Sequence, residues 1–235
     1  MSIILSIPLF FMMLVSSFAD VRPVGETFDI SSIRTIVITG DASSIKITTK
    51  SDEPYRTRTS GRRSGWFSSW YSNWFFNICK DETRVELEGA TLTIDVMMSA
   101  WSDIADCSPE VSANIPPGSA VRIEQQAFMA KLSGDFASLG TSGKAADITL
   151  DGHASAVDIS GAAVRASLTY DAVKRDEKIE IAAQSLDAYL GFGKDVPVDY
   201  TVIAKASYID SLVPSVPGAR PRVNIRGDYV RARIR

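Results

Sequence analysis

The chain has 235 residues, of which 45% are hydrophobic and 23% are charged, and its formal net charge is −3. This length suffices for a single domain with a substantial hydrophobic core. The near balance of acidic and basic residues gives no electrostatic indication of a nucleic acid partner.

The first nineteen residues have the features of a secretory signal peptide. Residues 3–15 are apolar, and Ser17 and Ala19 place small side chains three and one positions before a cleavage site. The apolar run is too short to span a bilayer comfortably. We therefore expect residues 1–19 to be cleaved, the alternative being an N-terminal anchor, and the protein to be periplasmic or extracellular. No later segment predicts a transmembrane span.

Cys79 and Cys107 are the two cysteines of the chain. In an oxidising compartment they predict one disulfide, which contributes roughly 3–4 kcal/mol to stability in the chain-entropy model. The alternatives are two free thiols or a metal site. Because the chain has a single histidine and no Cys-x-x-Cys motif, the sequence predicts no metal site and no cofactor.

Alternating apolar residues before position 110 predict β-strands with one apolar face. Residues 33–49 alternate around a Gly40-Asp41 turn, which predicts a strand, a turn and a second strand. Residues 85–96 return to alternation around Gly89. Residues 56–64, which are basic and rich in serine, and residues 97–109 predict loops.

An uncharged, aromatic-rich segment, the aromatic block, occupies residues 66–76. Its tryptophans are spaced by four, which fits one face of a helix or of a strand. Aromatic rings with a polar handle predict binding to sugar rings or to a lipid headgroup boundary. The interpretation that we favour over binding is an N-terminal cap over the first repeat, formed by residues 57–80. The candidate binding residues are Trp66, Phe67, Trp70, Tyr71, Trp74 and Phe75.

Residues 121–174 contain three consecutive repeats of 18 residues. Aligned positions are apolar or small and lie two residues apart, which is the period of a strand. This repeat predicts an all-β, single-stranded, β-helix-like solenoid of short stacked strands, with one rung per repeat. The aligned columns are Val121/Leu139/Val157, Ile123/Thr141/Ile159, Phe128/Ala146/Val164, Ala130/Ile148/Ala166, Leu132/Leu150/Leu168, Gly134/Gly152/Tyr170 and Phe136/Ala154/Ala172.

The repeat continues less regularly beyond residue 174. A charged insertion at 173–178 delays the next rung to Ile179, and residues 200–204 continue the alternation. After a proline-rich break, residues 222–235 predict a closing, hairpin-like pair of strands. Their arginines form a cationic face that could meet anionic polysaccharide or lipid, or block edge-to-edge association. We expect residues 20–235 to form one solenoid domain.

The repeat alignment also places Asp135, His153 and Asp171 in one outward-facing column. Rungs about 4.8 Å apart would set the histidine between two carboxylates. This arrangement predicts a solvated charge ladder, and the alternative is a hydrolase, lyase or weak metal site. The sequence contains no nucleophile-elbow and no phosphate-binding loop motif, so we do not predict an enzyme.

The repeats resemble a family of bacterial putative adhesins. Members of that family repeat short strands punctuated by Ser-Gly and Ser-Gly-Asp turns after an Ile-Pro-x-Gly opening. Here the opening is Ile-Pro-Pro-Gly at 115–118, and the turns lie at 133–135, 142–143 and 160–161. The resemblance covers 111–195 well, and 33–50 and 85–96 loosely. It implies an exported β-solenoid with an adhesive or envelope-associated role, and it offers no catalytic residues.

The predicted function is therefore a non-catalytic, exported protein of the cell envelope that serves as an adhesion or binding module. Its expected partner is a cell-surface glycan or an envelope protein, and no nucleic acid partner is predicted. One alternative is a structural or assembly protein of the envelope. A less favoured one is a carbohydrate-active β-helix enzyme, in which Asp135, His153 and Asp171 would line a groove.

Overall fold

A computed structural model describes residues 28–63, 83–97, 107–174, 176–193 and 196–235. These residues form an all-β protein without helices, so none of the described segments is a helix able to cross a membrane. The strands are β1 (Phe28–Asp29), β2 (Thr35–Thr48), β3 (Arg56–Arg63), β4 (Arg84–Glu88), β5 (Thr91–Val96), β6 (Cys107–Asn114), β7 (Ser119–Tyr170), β8 (Lys178–Gly191), β9 (Asp199–Ser211) and β10 (Arg222–Ile234).

The strands form one open sheet in which most neighbours are parallel. Its order is β1-β3-β6-β2-β7-β8-β10-β9, with β5 also paired to β2, and β4 to β5. From β6 through β9 every pair in this order is parallel. The pairs β1–β3, β3–β6 and β4–β5 are antiparallel. The sheet is not closed, because β1 and β9 lie at its two ends.

Strand β7 contacts itself at intervals of 18 residues. A Cβ atom on Gly152 would lie 2.1 Å from the carbonyl oxygen of Gly134, and one on Gly161 would lie 2.6 Å from that of Gly143. Backbone segments one repeat apart are therefore in direct contact. A straight strand of this length could make no such contacts, so β7 folds back along its own course.

The inward columns predicted from the repeat form the hydrophobic core. All of their members are buried except Gly134, which is half-buried, and Ala172, which is exposed beyond the end of β7. The predicted delay before the next rung is confirmed, because Ile179 pairs with Val157 across the charged insertion. Each large aliphatic side chain buried in this way stabilises the fold by on the order of 1.5–3 kcal/mol.

The strands are longer than the predicted short strands. Residues 33–49 predict a turn that separates two strands, but β2 is continuous and pairs with β7 on both sides of Gly40. Gly40 has a φ of 108°, and a Cβ there would lie 2.0 Å from the carbonyl oxygen of Val96. Glycine tolerates this conformation and this contact, so the chain bends at Gly40 without leaving the sheet.

Two predicted loops contain strands. Residues 56–63, predicted to be a loop and the start of the aromatic insertion or cap at 57–80, form β3 antiparallel to β6. The second predicted loop, at 97–109, includes the start of β6 at Cys107. In β3 the exposed Arg56 and Arg58 alternate with the buried Thr57 and Thr59. The strand period is present there, but its inward residues are polar and small, so an apolar pattern does not reveal it.

The predicted closing hairpin is wrong. Residues 222–234 form the single strand β10, which lies between β8 and β9 and is parallel to both. Ion pairs of two arginines, at the start of β10 and directly after its end, account for its position beside β9. The Arg222 Nε lies 3.4 Å from Asp199 Oδ2, and the guanidinium of Arg235 donates to both carboxylate oxygens of Asp210. These arginines meet carboxylates inside the sheet, so they do not protect its edge.

We expect Gly152→Ala to destabilise the protein by about 3 kcal/mol, because Gly152 has a φ of 139° and the new Cβ would meet the Gly134 backbone. Gly140→Ala is the matched control, since its Cβ would lie 4.0 Å from the carbonyl oxygen of Val121. Urea denaturation of both variants measures the difference. Equal stabilities would contradict the close packing of backbones one repeat apart.

Candidate binding groove and a buried polar cluster

The candidate residues of the aromatic block lie outside the described residues, as does Cys79. Their binding role and the disulfide between Cys79 and Cys107 therefore stay predictions. The structure does show where the segment that carries the block is attached. Arg63, the last residue of β3, pairs with Cys107, the first residue of β6. The candidate residues are Trp66, Phe67, Trp70, Tyr71, Trp74 and Phe75.

An open groove of about 690 Å³ crosses the parallel strands. Its floor follows one register position of the sheet, because Ala42 pairs with Ala127, and Ala163 pairs with Ser185. Ala145 lies one repeat from both Ala127 and Ala163. Five neighbouring segments spaced by about 4.8 Å give a floor roughly 19 Å long. No floor side chain is larger than that of serine.

The groove follows from the alternation of side chains in the strands. Each floor residue directly precedes an inward residue of the core, as Ala127 precedes Phe128 and Ala163 precedes Val164. The inward residues Phe128, Val164 and Leu186 are large and buried, whereas the outward floor residues are small, so the surface is lowered along one column. Sequence reasoning missed the groove, although the column Ala127, Ala145 and Ala163 is visible in the repeat alignment.

One rim of the groove carries alternating charges. Arg165 Nη1 lies 3.6 Å from Asp147 Oδ2, and Arg165 pairs in register with Asp187, which pairs in turn with Arg231. Carboxylates accept hydrogen bonds and guanidinium groups donate them in a fixed fork. Beside an apolar floor, this rim can bind the hydroxyl groups of a neutral, extended polar chain.

The two ends of the groove differ in what lies beyond them. At the β8 end the floor column continues to Tyr229, which pairs with Ser185 and is 67% exposed. Tyr208 continues the charged column and is 62% exposed. At the β6 end the groove is lined by Ser108, which follows Cys107 at the attachment of the aromatic block.

A buried polar cluster surrounds His153. The His153 side chain is 7% exposed, and that of Glu177 is 0% exposed. Nδ1 of His153 lies 2.9 Å from Asp135 Oδ1, and Nε2 lies 3.2 Å from Glu177 Oε1. Lys174 Nζ lies 3.0 Å from Asp135 Oδ2. The prediction of an outward, solvated column is thus wrong for His153. The charged insertion covers it, and Glu177 takes the position predicted for the exposed Asp171.

The cluster fastens the charged insertion to the repeats. The backbone N–H groups of Lys174 and Asp176 donate to the two oxygens of Glu177. His153, Asp176 and Glu177 also offer one ligand atom each, all within 4.8 Å of one another. Such a set of one imidazole and two carboxylates can hold a transition metal. The hydrogen bonds already satisfy the buried carboxylate, so the geometry accounts for the cluster as a latch.

Tyr170 closes the apolar side of this latch. Its ring packs edge-on against His153, with 6.0 Å between the ring centroids, and its hydroxyl donates to the carbonyl of Ala154 over 3.3 Å. Burial, followed by the negative charge of Glu177, raises the pKa of Tyr170 above its ordinary range. The phenol therefore stays neutral.

The fold is similar to that of two solved structures. A putative cell adhesion protein from Clostridium sporogenes ATCC 15579 matches with a TM-score of 0.50 at 10% identity, over 91% of this chain and 100% of that one. A putative adhesin from Bacteroides fragilis NCTC 9343 matches with a TM-score of 0.46 at 10% identity, over 90% and 95%. At such low identity the first similarity shows the fold alone, and the second carries no argument. No family model and no curated protein matches the sequence.

We expect His153→Ala to destabilise the protein by about 3 kcal/mol, because Glu177 would keep a buried charge without its imidazole partner. The same variant should speed tryptic cleavage after Lys174, since the latch holds the insertion. Asp151→Asn is the control, as Asp151 is exposed in the same strand. A His153→Ala protein with unchanged stability and cleavage would contradict the latch.

The latch also predicts an acid-dependent loss of stability. Burial raises the pKa of Asp135, but hydrogen bonds and charge from Lys174 and His153 outweigh it and hold this pKa below its ordinary value of 3.8. A depressed carboxylate pKa stabilises the fold above the ordinary value, and this contribution is lost as the pH falls through the folded-state value. The stability difference between the wild type and Asp135→Asn should therefore stay constant above about pH 5 and shrink between about pH 5 and about pH 2. A difference that stays constant would show that Asp135 contributes nothing as a carboxylate.

Proposed function

We propose that the protein is an exported, non-catalytic binding module of the cell envelope, built as a single-stranded β-solenoid with one coil per 18 residues in 121–174. The solenoid is supported by the contacts between Gly134 and Gly152 and between Gly143 and Gly161. It is also supported by the parallel pairing of the sheet neighbours β2, β7, β8, β10 and β9. Export to the periplasm or the cell exterior is supported by the signal-like residues 1–19.

The groove is the observation that carries the proposal. Its floor of methyl groups has room for the apolar faces of sugar rings, and its rim offers Asp147, Arg165 and Asp187 to their hydroxyl groups. A groove about 19 Å long and open along its length suits an extended chain better than a compact small molecule. We therefore propose a neutral polysaccharide of a cell surface as the ligand.

The aromatic block extends this proposal. It is attached at the β6 end of the groove, next to Ser108, and exposed indole rings would add stacking surfaces to a polysaccharide that leaves the groove there. The fold shared with a protein named a putative cell adhesion protein agrees with a binding role. The alternative function of the block, a cap over the first rung, would leave the groove to act alone.

The absence of catalysis is part of the same proposal. Both ring nitrogens of His153 are engaged by carboxylates, and the side chain is covered by the charged insertion. A substrate would have to displace this insertion to reach the imidazole. Asp171, the third member of the hypothetical catalytic column, is exposed, and Glu177 stands in its predicted place beside the ring.

The binding proposal predicts that filling the groove abolishes binding. Ala163→Trp places an indole on the floor, and we expect it to lower the affinity for bound polysaccharide at least about 10-fold, which is about 1.4 kcal/mol. Ala137→Trp is the matched control, because Ala137 is also exposed but does not line the groove. Calorimetric titration with a panel of purified neutral bacterial surface polysaccharides measures both.

Two results would contradict this function. The first is a wild-type protein that binds no polysaccharide of the panel, and the second is equal binding by Ala163→Trp and Ala137→Trp. Trp70→Ala in the same titration tests the aromatic block. A loss of affinity in this variant alone would assign binding to the block and not to the groove.

A further inference from the structure

The outer edge of β9 is the one long strand edge at this end of the sheet. Among the described residues β9 pairs along its length only with β10. Its other side is covered near its start, where Val198 bridges Ser215 and the Ser215 hydroxyl contacts the backbone N–H and carbonyl of Tyr200. Two large apolar residues of β9, Ile203 and Tyr208, are 60% and 62% exposed. An uncovered edge of this kind is a template for pairing with another strand.

The order of inward-facing and outward-facing side chains along β9 is the same when the strand is followed from either end. Its register with β10 shows which residues face inward, because Val202 pairs with the buried Ile225, and Ile209 pairs with the buried Ala232. The pattern reverses symmetrically about the dipeptide formed by Lys205 and Ala206. The inward residues are Tyr200, Val202 and Ala204 before it and Ser207, Ile209 and Ser211 after it, and the outward ones are Thr201, Ile203, Tyr208 and Asp210.

We propose that β9 is the interface of a twofold-symmetric dimer, in which two copies of this chain pair their β9 edges antiparallel. In the register centred on Lys205-Ala206, Val202 lies opposite Ile209 of the second copy, and Ile203 lies opposite its Tyr208. Between residues 201 and 210, where the edge is uncovered, every inward residue then meets an inward residue and every outward residue meets an outward one. A single surface that complements itself in this way is the requirement for an isologous interface.

The composition of the edge fits a second copy of the same chain. The pairs Val202–Ile209 and Ile203–Tyr208 are apolar on both sides, and each occurs twice because of the symmetry. Near the axis, Lys205 Nζ lies 2.9 Å from Asp228 Oδ1 in the same chain, so the two lysines that approach one another are each paired with a carboxylate. The inward pairs would also cover Ile209, which is 41% exposed at the end of the core.

Sedimentation velocity of the full-length protein tests the dimer. We expect a concentration-dependent dimer. Ile203→Lys should raise the dissociation constant of this dimer at least about 10-fold, because it places a charge opposite Tyr208. Ile203 is exposed, so the variant should fold, which circular dichroism checks. Met129→Lys is the matched control, because Met129 is 49% exposed away from this edge. A wild type that stays monomeric at about 100 µM overturns the proposal.

Cysteine cross-linking tests the register. Oxidation of an equal mixture of Ile203→Cys and Tyr208→Cys proteins should give a covalent dimer, because these positions face one another across the interface. Each variant alone should not cross-link through its new cysteine, since the same position on the two copies is separated by five residues along the edge, roughly 16 Å. A single variant that cross-links as readily as the mixture, or a dimer whose mixture gives no covalent product, overturns the antiparallel register.

Discussion

The parallel backbone register between neighbouring strands is the constraint on which the rest of the structure depends. Hydrogen bonds of a parallel pair are evenly spaced, so equivalent residues lie above one another along the sheet order β2-β7-β8-β10-β9. Neighbouring backbones also approach closely at the bends, where a Cβ on Gly143 would lie 2.5 Å from the carbonyl oxygen of Gln125, and one on Gly227 would lie 2.4 Å from that of Ala183. The side-chain amide of Gln125 fixes the corresponding bend of β2, because it accepts a hydrogen bond from Ser43 and donates one to the carbonyl of Thr39.

Core and groove are consequences of this one register. Since every strand repeats the same inward and outward positions, a column of large inward residues and a column of small outward residues each extend across the sheet. The first column excludes water, and the second leaves a groove beside it. A substitution at one floor position therefore interrupts a continuous surface, whereas a substitution on an ordinary exposed position changes only its own surroundings.

The sequence predicted what is local and periodic. The buried columns of β7 and the delayed rung at Ile179 follow from side-chain spacing alone. The sequence could not show whether the chain reverses or only bends at the Gly-Asp dipeptide of Gly40, because a chain reversal and a bend within one strand use the same residues. The contact between His153 and Glu177 could not be predicted either. The length of an insertion shows that a rung is delayed, but not which side chain the inserted segment covers.

The position of β10 decides which edge stays open. Backbone hydrogen bonding alone would allow β9 or β10 to lie at the end of the sheet. The charged and polar side chains distinguish the two positions. On β10, Arg222 meets Asp199 of β9, and Asn224 donates to Glu180 of β8, so this strand has polar partners on both sides. The outward Ile203 and Tyr208 of β9 have no comparable partners and fit an end position. The floor column of the groove reaches this same edge through Tyr229 and Ala206. In the proposed dimer, the two floor columns therefore meet at the twofold axis, but the exposed Tyr229 of each copy stands in its column between the groove and the axis. The two grooves thus end on either side of the axis, each bordered by an aromatic ring.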